Sequence, residues 1–169
     1  VFDFQSYISS LPAKVAIFAS GLMGSMSGSV ITNVLTTGSL SIPAMKRIGF
    51  QPHVAGGVEA CASTGGVLMP PIMGATAFIM AINLEVPYRD IVVAAVIPSV
   101  LYFFALFMQI DGYAARNKLE GLPKIELPTV RQTLKDGWYY VAVFALLIYL
   151  LVFMQREAQA PFYATILLL

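Results

Sequence analysis

The chain has 169 residues, of which 58% are hydrophobic and 11% charged. A soluble domain carries about 25% charged residues, so composition places this chain in the membrane class. A net charge of +1 offers no electrostatic footprint for nucleic acid, and the single cysteine, Cys61, excludes an internal disulfide.

The chain begins at Val1 and ends on Ile166-Leu167-Leu168-Leu169, inside an apolar run with no cap. A piece of a longer protein is therefore expected. Residues 1–14 read as an interfacial lead-in, with Pro12 suited to the first turn of a helix.

Residues 15–45 hold no charge. Within them runs Gly24-Ser25-Met26-Ser27-Gly28-Ser29-Val30-Ile31-Thr32-Asn33, rich in glycine and hydroxyls where a membrane helix would carry leucine. The flanking pieces, Val15–Met23 and Val30–Leu40, are each shorter than the roughly 20 residues that cross a hydrocarbon core. Asn33, Thr36 and Thr37 face polar partners, Pro43 ends the second piece, and Lys46-Arg47 mark water. We expect a re-entrant helical hairpin over 15–45. One long tilted helix would put six residues of Gly-Ser-x-Ser-Gly-Ser type at mid-membrane, where each glycine costs about 1 kcal/mol.

Residues 53–84 carry one charge, Glu59. They are long enough to span and are expected to unwind at Ser63-Thr64-Gly65-Gly66 and again at Pro70-Pro71, giving a discontinuous transmembrane helix. A link over Asn83–Asp90 leads to a transmembrane helix at 91–110, with a kink at Pro98. Residues 111–137 form a basic loop holding Arg116, Lys118, Lys124, Arg131 and Lys135. A transmembrane helix at 138–155 opens on an aromatic belt, Trp138-Tyr139-Tyr140. Residues 161–169 start another, cut short. If the hairpin returns to its own side, Lys14, Lys46, Arg47 and the basic loop all fall on the cytoplasmic side, as basic residues do.

The fold class is thus all-α integral membrane: a re-entrant hairpin, a discontinuous helix and spanning helices. Polar backbone at membrane depth is tolerated only where it is buried in protein or lines a cavity. Unwound carbonyls suit a cation, and half-helix N-termini suit an anion. Ser25, Ser27, Ser29 and Asn33 offer side-chain oxygens at the first break, and Ser63 and Thr64 at the second. Gly28, Gly65 and Gly66 permit turns and close approach.

Glu59 reads either as an ion relay or as an interfacial acid paired with Lys46 or Arg47, and its place near the end of the span favours the second. His53 has no second histidine or cysteine at metal spacing. Cys61, Met69, Met73 and Met80 read as packing residues. The basic loop reads first as a topology signal and only then as a lipid-headgroup contact. No nucleophile, base and orienting partner come together, and no phosphate-binding loop appears, so an enzyme is not expected.

The ordered run Gly28-Ser29-Val30-Ile31-Thr32-Asn33, then Ile42-Pro43-Ala44-Met45-Lys46-Arg47-Ile48-Gly49-Phe50, then Ala60-Cys61-Ala62-Ser63-Thr64-Gly65-Gly66 and Met69-Pro70-Pro71-Ile72-Met73-Gly74 resembles the large membrane subunit of tripartite ATP-independent periplasmic (TRAP) transporters, and most of all the branch with fused small and large subunits. The match is dense from Ala13 to Arg116. The resemblance implies two inverted repeats working as an elevator, of which this chain would supply the first hairpin and broken helix. It implies sodium as coupling ion, no other cofactor, and carboxylate-bearing organic solutes brought by a periplasmic solute-binding protein. It further implies a small membrane subunit or its fused equivalent, in the cytoplasmic membrane of a bacterium or archaeon. It carries the sodium site onto Ser27, Gly28, Ser29, Asn33 and Ser63 to Gly66. The rival reading is a channel or non-transporting scaffold whose small residues only pack helices; saturable, sodium-driven uptake separates the two.

Overall fold

The computed structural model describes residues 11–119, together with 143, 145, 146, 148–154, 163 and 165. Every described element is helical, and no strand occurs among the described residues. Two helices, α1 (Leu11–Ser27) and α2 (Val30–Arg47), are joined by Gly28 and Ser29 alone. Gly28 turns the chain at φ +63°, a left-handed conformation that costs a side chain-bearing residue about 1–2 kcal/mol. Ser29 is extended and its side chain caps α2 by accepting from the Thr32 N–H. The arms run back along each other, since Ser20 of α1 meets both Asn33 and Thr37 of α2.

Pro43 does not end α2, contrary to the sequence expectation; the helix continues through it to Arg47. Proline removes one hydrogen bond and disfavours a helix interior by about 3 kcal/mol. Burial of the residues just beyond the proline offsets that cost: Met45, Ile48 and Phe50 are each 1–3% exposed, and Phe50 stacks on Tyr113 with ring centroids 5.2 Å apart. The Phe50 and Gly49 N–H groups donate back to the Met45 and Lys46 carbonyls and close the turn.

The second interrupted unit is α3 (Pro52–Leu68) followed by α4 (Gly74–Leu84), with Pro52 in the first turn. Its break lies at residues 69–73. Ser63, Thr64, Gly65 and Gly66, expected to be unwound, are helical. The Thr64 hydroxyl donates to the Ala60 carbonyl at 2.8 Å within the same helix, and the two glycines serve helix contacts. A Cβ on Gly65 would lie 2.4 Å from the Tyr102 ring, and one on Gly66 would lie 2.9 Å from the Gly21 carbonyl oxygen and the Gly24 Cα. Pro70 and Pro71 do break the helix, having no N–H to continue the ladder. Met73 and Gly74 both take positive φ, at 56° and 66°, to start α4.

The fifth helix, α5 (Tyr88–Arg116), is the one described helix long and apolar enough to cross a membrane by length and composition. It accommodates Pro98 and runs past Ile110 to Arg116, so the first residues of the predicted 111–137 loop are helical. Lys14 Nζ meets Asp111 Oδ1 at 2.7 Å, with side chains 14% and 6% exposed. This ties the base of α1 to the C-terminal end of α5. A π-helical stretch, Tyr149–Phe153, places Leu150 and Leu151 against Tyr88 and Val92. Of the lead-in expected at 1–14, residues 11–14 already belong to α1; its residues 1–10, loop residues 120–137, most of the span at 138–155 and most of 161–169 lie outside the described residues.

Polarity is distributed inside out. Ser20, Ser25, Asn33, Glu59 and Ser63 are at most 1% exposed, whereas Ile31, Leu35, Leu40, Ile82 and Ile97 are 70–78% exposed. Water would reject such a surface; hydrocarbon accepts it. Where α1 crosses α3, glycines let the backbones approach closely, as in membrane helix pairs, while Ile17, Met45, Phe50 and Ile110 fill the apolar core beside them. Gly66→Ala should therefore overpack the α1–α3 contact and destabilise by about 1–3 kcal/mol. Gly57→Ala, on the same helix with nothing within 4 Å of the new Cβ, should be neutral or stabilising by up to about 1 kcal/mol. Thermal unfolding of the two variants in detergent, against the parent, checks both.

Candidate functional site

The two helix breaks touch. A Cβ on Gly28 would lie 2.6 Å from the Gly74 Cα, and one on Gly74 would lie as near the Gly28 Cα, so no side chain fits between them. One turn earlier, a Cβ on Gly24 would lie 3.0 Å from the Gly66 Cα and from Asn33 Nδ2. The last turns of α1 and α3 therefore converge with the first turns of α2 and α4. Helix C-termini present carbonyls with partial negative charge, and N-termini present amides with partial positive charge. Both kinds of end meet in one place.

Below the tip lies a polar cluster built from three helices. Glu59 Oε1 accepts from Ser20 Oγ at 2.7 Å, Thr37 Oγ1 at 2.5 Å and Ser63 Oγ at 3.3 Å. Ser41 Oγ donates to Oε2. Asn33 Nδ2 donates to the Ser20 carbonyl at 2.8 Å and to the hydroxyls of Ser20 and Ser63, both at 3.0 Å. Asn33 Oδ1 is buried and has no hydrogen-bond partner. A buried polar atom without a partner is costly, by about 1–3 kcal/mol, so this oxygen is the unfilled acceptor of the cluster.

Of the residues expected at the site, Gly28, Asn33, Ser63 and Gly66 come together. Ser25 is buried but its hydroxyl turns back to the Leu22 carbonyl at 2.8 Å. Ser27 is exposed at the tip, 3.4 Å from the Gly24 carbonyl, and Ser29 serves as the α2 cap. Thr64 and Gly65 do not join: Thr64 is exposed, and Gly65 faces the Tyr102 ring. Glu59 is the clearest correction. It is 1% exposed and lies inside the hairpin–α3 contact, not at an interface. The ion pairs among the described residues are Lys14–Asp111 and Arg89–Asp90, neither involving Glu59, Lys46 or Arg47. Hydroxyls from both hairpin arms surround it, and Gly38 leaves room, since a Cβ there would stand 3.2 Å from Glu59 Cγ.

Ser20, Ser41 and Tyr88 do not stand out in the sequence. A signal exists for the cluster: Asn33, Thr37 and Ser41 recur every four residues and so share one face of α2, as Glu59 and Ser63 share one of α3. Tyr88 carries no such signal. Its hydroxyl lies within hydrogen-bonding distance of the Pro71 and Ile72 carbonyls, at 2.8 and 2.6 Å. Its ring stacks on Phe78 at 4.3 Å. It thereby pins the unwound segment from α5.

The family model described as tripartite ATP-independent periplasmic transporter, DctM component, matches residues 7–169. The C4-dicarboxylate TRAP transporter large permease protein DctM of Pseudomonas aeruginosa is 30% identical over 115 residues, covering 68% of this chain and 26% of that protein. The sialic acid TRAP transporter permease protein SiaT of Haemophilus influenzae is 27% identical over 127 residues, 75% of this chain and 20% of its own length. The chain thus spans about a quarter or less of these two relatives. No solved structure matches. Because the family match covers nearly all of the sequence and the dense polar motifs fall where the two helix breaks meet, the chain belongs to the DctM component family of TRAP transporters.

Proposed function

We propose that this chain builds one half of the transport site of a sodium-coupled permease. The observation that carries the reading is the crossing of the two breaks, Gly28 on Gly74, above a buried Asn33 whose Oδ1 lacks a partner. Sodium takes oxygen ligands. Asn33 Oδ1 and the carbonyl ends of α1 and α3 supply them, with the tip hydroxyls of Ser27 and Ser29 at hand. Bound sodium would draw the Ser27–Asn33 tip against the end of α3 and the 69–73 segment, completing the solute site and permitting movement of the domain as an elevator.

The amide ends of α2 and α4 suit an anionic group on the solute. The names of the two relatives support a carboxylate: a C4-dicarboxylate and sialic acid both carry one. In this reading a periplasmic solute-binding protein delivers the solute, and a small membrane subunit or its fused equivalent completes the permease in the cytoplasmic membrane. The hairpin is re-entrant, with both ends on the cytoplasmic side. The fourteen residue steps from Lys14 to Gly28 rise roughly 21 Å, short of the roughly 30 Å hydrocarbon core, and the Lys14–Asp111 pair puts the hairpin base level with the end of α5.

Uptake by the full transporter in proteoliposomes, with its binding protein, tests the site. Asn33→Ala should raise the sodium concentration for half-maximal uptake about tenfold, equivalent to about 1.4 kcal/mol. An unchanged sodium dependence in that variant would falsify the site. Gly28→Ala should abolish uptake while the protein still inserts. The new Cβ meets backbone, which cannot swing aside, and the left-handed turn adds about 1–2 kcal/mol of strain. Normal transport by Gly28→Ala would mean that the tip contact is not needed.

A further inference from the structure

Glu59 has no part in these sodium contacts, yet it is the group to which the cluster's hydroxyls point. Ser20 and Ser63 each hydrogen-bond both to Glu59 Oε1 and to Asn33 Nδ2, so they bridge the two side chains. A serine hydroxyl owns one proton and two lone pairs. Given to the carboxylate, that proton leaves only lone pairs facing Asn33. Lone pairs must be met by a donor, so the carboxamide turns its NH2 inward. The Ser20 carbonyl, 2.8 Å from Nδ2, selects the same end. The other end, Oδ1, is left on the side without a protein partner.

We propose that Glu59 is a positioning residue for the Asn33 carboxamide: through Ser20 and Ser63 it holds Oδ1 as the open acceptor of the site. This rests on the reading of Asn33 as a sodium ligand. The logic is that of outer-shell groups at metal sites, which fix which atom of a ligand faces the ion and whose loss weakens binding about 10–100-fold. Thr37 and Ser41 add the second hairpin arm to the same carboxylate, so Glu59 registers both arms against α3 while it orients Asn33.

Glu59→Gln keeps the size of the side chain but adds a donor. Its oxygen stays where Oε1 was, but a neutral amide is a weaker acceptor than a carboxylate, so Ser20 and Ser63 are freed to turn a proton toward Asn33, and the carboxamide loses its single orientation. Initial uptake by the full transporter is measured against sodium concentration. Glu59→Gln should raise the half-saturating sodium concentration about tenfold and leave the maximal rate within about twofold of the parent. In an Asn33→Ala background the same substitution should add no further shift, because its effect runs through Asn33. Where Glu59→Gln fails to assemble, Ser63→Ala removes one bridge, leaves Ser20, Thr37 and Ser41 on the carboxylate, and should shift the sodium dependence in the same direction.

A loss confined to maximal rate or to the amount of folded transporter makes Glu59 a packing residue and overturns the proposal. So does an equal shift in both backgrounds. If Asn33→Ala itself leaves sodium dependence unchanged, the sodium reading falls, and this inference with it; a shift in Asn33→Ala without one in Glu59→Gln sinks the positioning role alone.

Discussion

Backbone amides and carbonyls in an apolar medium must find partners, and a broken helix leaves several without them. This chain breaks two helices and lays the breaks on each other, with glycine on both sides of the contact. Nothing larger than hydrogen fits at Gly28 and Gly74, so the tip of the hairpin and the start of α4 approach as backbone on backbone. The remainder of the described structure holds that approach. Tyr88 pins the unwound segment from α5, the Gly24–Gly66 contact sets α1 on α3, and the Lys14–Asp111 pair fixes the hairpin base.

The polar cluster answers a second cost. A polar group moved into an apolar interior without a partner costs roughly 2–7 kcal/mol, and Glu59, Asn33, Ser20 and Ser63 are all at most 1% exposed. Hydroxyls are suited to repair this because each can both donate and accept, so one carboxylate can engage three helices. The repair is complete except at Asn33 Oδ1. The cluster is thus satisfied everywhere but at one oxygen, which lies beside converging helix ends. Elsewhere the interior is apolar, with Ile17, Met45, Phe50, Leu106 and Ile110 buried in one cluster, while other bulky apolar side chains such as Ile31, Leu40 and Ile97 face outward.

Membership of the DctM family rests on the sequence match, while the geometry says why those motifs are spaced as they are. The Gly28-to-Asn33 run is a turn, a cap and the first buried amide of α2. The stretch from Ala60 to Gly74 is a helix end, a break held by a tyrosine, and a restart through two positive-φ residues.

The sequence by itself determined the membrane character, a reversal within Gly24–Ser29 and the break at Pro70-Pro71, whereas the structure carries α1 through Gly24 to Ser27 and confines the reversal to Gly28 and Ser29. These are local matters: charge density, the left-handed conformation glycine permits, and the N–H that proline lacks. Asn33 stands out for the same reason, a polar amide in an apolar run, and it lies buried in the polar cluster. Only the tertiary structure decided that Ser63–Gly66 stay helical, that α2 continues through Pro43, that Gly65 faces Tyr102 while Gly66 faces α1, and that Glu59 lies at the centre of the cluster. Each of those depends on what a residue meets from another helix. One carboxylate near the end of an apolar run reads as interfacial until the hydroxyls of Ser20, Thr37 and Ser41, far off in the chain, are folded against it.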